Sequence, residues 1–222
     1  MTRTFFITGT DTNVGKTYVS LGLLKKFKAL DLKVIAIKPI GTGGFIKGNK
    51  IYNEDALLLQ KNSSISLHYD CINSFSFLSA VAPNIAAKLA KQSVTVDRIY
   101  QKVCATTINK HSDVCIIEGT GGWQTPLNEH ETMADLVVML DISVILVISI
   151  KLGCLNHSIL TYQSILSKNL EIKAWVANCI DSDVQELEAI IETLNCYIKS
   201  PCLGIIRFQQ KPEEALNINL LL

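Results

Sequence analysis

The stretch Phe5-Phe6-Ile7-Thr8-Gly9-Thr10-Asp11-Thr12-Asn13-Val14-Gly15-Lys16-Thr17 decides the reading of this chain, because an apolar run ends in a glycine-containing loop and the loop opens a helix-patterned segment from Val19 to Leu30. Strand, loop and helix start follow one another. A loop in that position points several backbone N–H groups into one cavity. The partial positive charge of the helix N-terminus adds to them, an arrangement suited to a polyphosphate. Lys16 is placed to reach the β- and γ-phosphates, and the Thr17 hydroxyl to hold Mg²⁺. Five residues separate Gly9 from Gly15, one more than in the usual pattern. A glycine turn that merely starts a helix is the competing reading, and Gly-Lys-Thr at a strand-to-helix junction counts against it.

Working outward, apolar β-rich runs fall at 4–8, 33–38, 114–117, 144–150, 174–177 and 202–206, and helical patterning fits 16–29, 53–60, 85–91, 96–109, 133–140, 156–168 and 184–198. Near-continuous apolar strands alternating with helices predict an α/β fold of three layers, a mostly parallel sheet with helices on both faces. No repeat, low-complexity tract or linker interrupts 1–222, so a single domain is expected. Ligands of such sheets bind beyond the carboxyl ends of the strands. The least regular segment, 41–82, is expected to supply loops that wall a substrate site.

Three strand ends carry polar residues that a core does not need. Lys38-Pro39-Ile40-Gly41-Thr42 follows one strand; taken alone, Lys38 reads as a solvated rim residue. Glu118-Gly119-Thr120-Gly121-Gly122-Trp123 follows another, and an acid closing an apolar strand opposite a phosphate loop is where a second Mg²⁺ contact belongs. Lys151-Leu152-Gly153-Cys154-Leu155-Asn156 leads into a further helix whose free N–H groups suit a carboxylate. Asp55, in Asn53-Glu54-Asp55-Ala56, reads by itself as a dipole partner in a first helical turn.

Composition narrows the partners. The formal net charge is +1, which provides no strong field for nucleic acid or an anionic membrane. Seven cysteines at positions 71, 104, 115, 154, 179, 196 and 202 form no C-x-x-C pair, and the odd count points to reduced thiols in a cytoplasmic protein rather than a secreted disulfide framework. Cys104, Cys115, Cys154 and Cys179 lie in apolar surroundings and are expected as small core residues. The apolar stretch 136–150 is interrupted by Asp141 and is too short to span a membrane. The N-terminus enters the first strand directly, so no signal peptide is expected. The histidines at 68, 111, 130 and 157 show no metal spacing.

The set G-T-D-T-N-V-G-K-T at 9–17, K-P-I-G-T-G at 38–43, N-E-D-A-L-L-L-Q at 53–60, E-G-T-G-G-W-Q-T-P-L at 118–127, K-L-G-C-L-N-H at 151–157, W-V-A-N at 175–178 and I-N-L-L-L at 218–222 resembles the dethiobiotin synthetase family, in order and from Thr8 to the end of the chain. The resemblance implies a P-loop NTPase-type fold and an ATP-dependent, Mg²⁺-requiring ligase of biotin synthesis. Its substrates would be 7,8-diaminononanoate and CO₂, and it would act as a homodimer. It implies catalytic roles for Lys16, Lys38 and Thr12. It assigns nucleotide contacts to Asn13, Val14, Gly15, Lys16, Thr17, Tyr18, Asp55, Glu118, Gly119, Thr120 and Gly121, with Asn178 reading adenine. Thr17, Asp55 and Glu118 would hold Mg²⁺. Thr42 would contact the diamine or carbamate. Lys151, Leu152, Gly153, Cys154, Leu155 and Asn156 would bind the substrate's far carboxylate across the dimer interface.

The chain also departs from the family's pattern. Asn13 stands where many relatives have an acid or glycine, and Thr120 where alanine is usual. Gly204-Ile205-Ile206-Arg207 replaces a proline-containing loop, which leaves open whether Arg207 meets the nucleotide or the solvent. Trp123 reads as a wedge under the glycine-rich loop rather than a substrate contact. The alternative function is a partition or septum-site switch ATPase on the same scaffold. Such proteins usually carry a lysine early in the phosphate loop, and Gly9-Thr10-Asp11-Thr12 has none. A cobyrinate-type amidoligase is a further rival, and with the sequence ending at Leu222 its glutaminase domain is not expected.

Overall fold

A computed structural model of the protein describes residues 2–107 and 112–222. The expected end of one helix at Asn109 and the histidine at 111 lie outside the described residues. The chain begins β1 (Arg3–Gly9), α1 (Lys16–Lys28), β2 (Val34–Ile37), β3 (Ile40–Gly41), β4 (Phe45–Lys47), β5 (Lys50–Tyr52), α2 (Glu54–Asn62), α3 (Tyr69–Ile72) and β6 (Phe75–Ser76). It continues α4 (Pro83–Leu89), α5 (Val96–Thr107), β7 (Val114–Glu118), α6 (Met133–Leu140), β8 (Ser143–Ser149) and α7 (Cys154–Leu166). It ends β9 (Ile172–Asn178), α8 (Leu187–Tyr197), β10 (Cys202–Ile206), α9 (Pro212–Ala215) and a 3-10 turn, Ile218–Leu221.

The main sheet has the order β10-β9-β8-β1-β7-β2, and every neighbouring pair is parallel. Alternation along the strands makes two cores. Phe6, Ile35, Ile117, Leu146 and Trp175 face one layer with residues of α4, α5, α6, α7 and α8. Phe5, Ile7, Ala36, Ile116 and Val147 face the other with Val19, Leu23 and Phe27 of α1 and with Leu216, Ile218 and Leu221 near the C-terminus. The six strands therefore need apolar residues on both faces, which is why they read as continuous apolar runs. The three-layer α/β architecture agrees with the sequence reading.

The topology places the site. Strand β1 lies between β7 and β8, while α1 packs on one face and α6 on the other. The connections after β1 and β7 thus diverge, opening a crevice at the carboxyl edge of these central strands.

Segment 41–82 holds more regular structure than its composition suggests. It contains the β3–β6 pair, the β4–β5 hairpin and the helices α2 and α3. Helix α7 begins at Cys154, two residues before the expected start, because Gly153 takes a left-handed φ of 88° and Cys154 is buried. Helix α8 begins at Leu187 rather than 184, after a left-handed Glu186. All seven cysteines are free; Cys115, Cys154 and Cys179 are buried as expected, whereas Cys104 is only partly so. No helix among the described residues is long and apolar enough to cross a membrane.

Candidate active site

The loop after β1 turns through left-handed residues at Asn13, φ 59°, and Gly15, φ 91°, before α1 begins at Lys16. Successive turns of that kind aim backbone N–H groups inward, and the first-turn N–H groups of a helix have no intrahelical acceptor. Gly9 and Gly15 are required sterically. A Cβ on Gly9 would overlap Val14, and one on Gly15 would overlap the Asn178 amide. Lys16 is buried at the loop's mouth, with its ammonium donating to the Asp11 carbonyl at 3.0 Å. Burial pushes the Lys16 ammonium down to about 8 against the pull of Glu118, and neighbouring Lys38 adds to the depression.

Four further polar groups converge beside it. Glu118 ends β7 completely buried, and its Oε1 accepts from Thr17 Oγ1 at 2.7 Å and from Lys38 Nζ at 2.8 Å. Lys38 also donates to Asp55 Oδ2 at 2.6 Å. Burial alone depresses the Lys38 pKa, yet Glu118 and Asp55 outweigh it and hold Lys38 above the ordinary lysine value. Lys38 is only 5% exposed, so it is not a solvated rim residue. Asp55 sits in the first turn of α2, where Asn53 caps the helix by accepting from the Ala56 N–H at 3.2 Å. Its carboxylate turns to Lys38, beyond the helix-dipole role that its position alone suggested.

Lys16, Thr17, Lys38 and Asp55 open into a cavity of about 870 Å³, also lined by Thr12, Asn13, Gly15, Thr42, Thr120 and Gly121 among others, with Glu118 buried behind them. Its far wall comes from Ala80, Val81, Ala82 and Pro83, with Thr125 and Pro126. Thr120 donates its hydroxyl to the Ile40 carbonyl, tying the loop after β7 to the loop after β2. Gly119 passes Phe6 so closely that a side chain there would meet the Phe6 ring at 2.9 Å. Asn178 ends β9 buried and donates through Nδ2 to the Val14 carbonyl at 2.9 Å, which leaves Oδ1 and the second N–H for another partner.

Other sequence-predicted residues lie apart from the cavity. Lys151, Leu152, Gly153, Cys154, Leu155 and Asn156 do not line it. Leu152 projects fully into solvent, and Lys151 approaches Asp11 of the phosphate loop at 3.9 Å. Tyr18 points away, its hydroxyl donating to the Gln210 carbonyl at 2.8 Å. Arg207 is a surface residue that pairs with Glu188 at 3.4 Å. Trp123 is buried in the core, its indole N–H without a partner among the described residues.

Sequence reasoning missed Ser20, which is fully buried and donates to Glu118 Oε2 at 2.9 Å. The signal was present: Ser20 follows Lys16 by one helical turn and so shares its face. It also missed Asn53, whose Nδ2 donates to the Thr42 carbonyl at 3.1 Å and fixes the loop carrying Thr42.

The ATP-dependent dethiobiotin synthetase of Cellvibrio japonicus (strain Ueda107) is 39% identical over 204 residues, 92% of this chain and 89% of that protein. The chain belongs to the dethiobiotin synthetase family. A second dethiobiotin synthetase, from Buchnera aphidicola subsp. Acyrthosiphon pisum (strain 5A), is 40% identical over 208 residues, covering 94% of this chain and 92% of its own. A family model described as an AAA domain matches residues 3–214. This dethiobiotin synthetase family member also shares its fold with P-loop NTPases of known structure. The MinD cell division protein of Aquifex aeolicus aligns with a TM-score of 0.58 at 14% identity over 98% of this chain and 89% of its own. The signal recognition particle receptor FtsY of Elizabethkingia anophelis, in complex with GDP, aligns with a TM-score of 0.58 at 13% identity; the match covers 99% of this chain and 61% of the receptor's. At such identities the likeness extends to the fold alone.

Proposed function

We propose that this chain, acting as a single domain in the cytoplasm, converts 7,8-diaminononanoate, CO₂ and ATP into dethiobiotin, ADP and phosphate. The observation that carries the reading is that the phosphate loop, with Lys16 and Thr17, shares one cavity with Lys38, Asp55, Thr12 and Thr42, in a chain of the dethiobiotin synthetase family. One amine adds to CO₂ and loses a proton, giving a carbamate. A carbamate oxygen attacks the γ-phosphorus, breaking its bond to ADP. The second amine attacks the carbamoyl carbon, closes the ureido ring and expels phosphate.

Each step gathers negative charge at one place, so the protein's contribution is positioning and charge stabilisation. The inward N–H groups of Asn13, Val14, Gly15, Lys16, Thr17 and Tyr18 cradle the phosphates. Lys16 leaves the Asp11 carbonyl to meet the β- and γ-phosphates. Lys38 faces the carbamate and the transferred phosphoryl group. Thr12 and Thr42 orient the amines, and Gly119, Thr120 and Gly121 form the wall opposite. Asn178 presents Oδ1 and its free N–H to adenine, a pairing that a guanine edge rejects.

Thr17, Asp55 and Glu118 fit a hard divalent cation: two carboxylates already hold one positive charge, that of Lys38, and the Thr17 hydroxyl bonds the same Glu118 oxygen. Mg²⁺ held there would neutralise charge between the β- and γ-phosphates.

The segment 151–156 lies outside its own chain's cavity, exposes Leu152 completely, and ends in the first turn of α7. That supports a homodimer in which this segment of one subunit takes the substrate carboxylate bound to the other. The test of the overall reading is phosphate release from ATP. Release that requires both the diamine and bicarbonate supports it, and release stimulated by DNA or lipid without the diamine would favour the switch ATPase instead.

A further inference from the structure

Glu118 is completely buried, and a carboxylate shut away from water requires a cation and hydrogen-bond donors close by. Its Oε2 is held by Ser20 and its Oε1 by Thr17, and among the described residues the only positive charge within bonding distance is Lys38. The same ammonium bridges to Asp55. Lys38 Nζ therefore lies 2.8 Å from Glu118 and 2.6 Å from Asp55, and it shares the Glu118 oxygen to which Thr17 donates. These three residues are the oxygen donors assigned to the metal above. The ammonium and the metal ion need the same oxygens, and two cations cannot share them at such distances without strong repulsion.

We propose that Lys38 is the resident counter-cation of the metal site: in the nucleotide-free protein its ammonium stands between Asp55 and Glu118, and entry of the metal with ATP displaces it toward the reacting phosphoryl group. The inference rests on the assignment of Thr17, Asp55 and Glu118 to the metal. It adds that Lys38 has two positions, each supplied with negative charge. In the first, the carboxylates hold it and Glu118 is never buried unpaired. In the second, the divalent ion takes over the carboxylates, and the γ-phosphate with the carbamate gives the released ammonium new partners. The free metal then binds poorly to the empty enzyme, because it must compete with a tethered cation. Metal that arrives with nucleotide binds well, because the nucleotide gives Lys38 somewhere to go. Loading of the metal and delivery of the lysine become one event.

The test uses Mn²⁺ as the probe, with binding followed by calorimetry and by its electron paramagnetic resonance signal. Lys38→Met removes the competing charge; Lys38→Gln removes it while keeping an amide donor for the carboxylates, and replaces Lys38→Met if that protein does not fold. Without nucleotide, the variant should bind Mn²⁺ about tenfold more tightly than the wild type or better, and Mn²⁺ should raise its thermal midpoint more than that of the wild type. With a non-hydrolysable ATP analogue present, the advantage should shrink or vanish. Equal or weaker Mn²⁺ binding by the nucleotide-free variant overturns the proposal. Asp55→Asn separates the two assignments: if it leaves Mn²⁺ affinity unchanged with and without nucleotide, the metal site itself is misplaced, whereas a loss there beside an unchanged Lys38 variant rejects only the counter-cation role.

Discussion

Replacing Gly15 with alanine tests the phosphate loop at the point where it touches β9. Gly15 has φ 91°, and an alanine Cβ there would overlap Asn178 Nδ2, the atom that donates to the Val14 carbonyl. Two costs follow. Left-handed backbone at a residue with a Cβ costs roughly 1–2 kcal/mol. Pushing Asn178 aside strands the Val14 carbonyl and the buried carboxamide, which costs about 1–3 kcal/mol. Gly15→Ala should therefore destabilise the protein by roughly 2–5 kcal/mol in urea unfolding and weaken ATP binding. Asn178→Ala forfeits the hydrogen bond but empties the space. In the double variant the second cost is already lost, so the two changes should fall short of additivity by about 1–3 kcal/mol. Additivity within about 0.5 kcal/mol would refute the argument that Asn178 and Gly15 form one packed unit.

Three further outcomes are expected. Lys16→Ala should lower turnover by several orders of magnitude and weaken ATP if its ammonium meets the phosphates as proposed; steady-state kinetics and calorimetry check both. Mixing Lys16→Ala protein with Gly153→Asp, which places a negative charge at the N-terminus of α7, should restore activity as subunits exchange, because one site in the heterodimer draws an intact half from each chain. Exchange without recovery would put the carboxylate pocket within a single chain. Asp135 supplies the pH prediction: burial raises its pKa, but hydrogen bonds from Lys168 and Thr132 outweigh that and hold it below the usual carboxylate range. A carboxylate depressed on folding stabilises the protein above its unfolded pKa, about 3.9, and the benefit is lost as pH falls through the folded value. Asp135→Asn should thus lower stability at neutral pH and flatten the acid side of the unfolding profile.

The main strands and the phosphate loop were legible because their signals are local. The six apolar runs are dictated by burial on both faces, and Gly-Lys-Thr after the first of them fixes the loop. The motif set led to the family, and of the residues it singled out Thr12, Thr42 and Thr120 line the cavity. What stayed hidden depends on contacts between distant segments. Lys38 and Asp55, 17 positions apart, look ordinary singly and gain meaning when α2 brings the carboxylate onto the lysine. Ser20 gains a partner only where Glu118 arrives from β7. The wall at 80–83 and the turns after 207 carry small or mixed residues without a period, so their order comes from packing, as where Gly204 passes the Ala215 carbonyl too closely for any side chain. The first turn of α7 was assigned to a loop because its start is set by the backbone of Gly153 rather than by a capping side chain.

The central claim is tested most directly by following isotopically labelled bicarbonate through a reaction with ATP and 7,8-diaminononanoate. If Lys16, Lys38, Thr17, Asp55 and Glu118 serve ring closure, label should enter an acid-stable cyclic urea in equal amount to the diamine consumed and the phosphate released. Phosphate released without stable incorporation of label, or at an undiminished rate without the diamine, would contradict it.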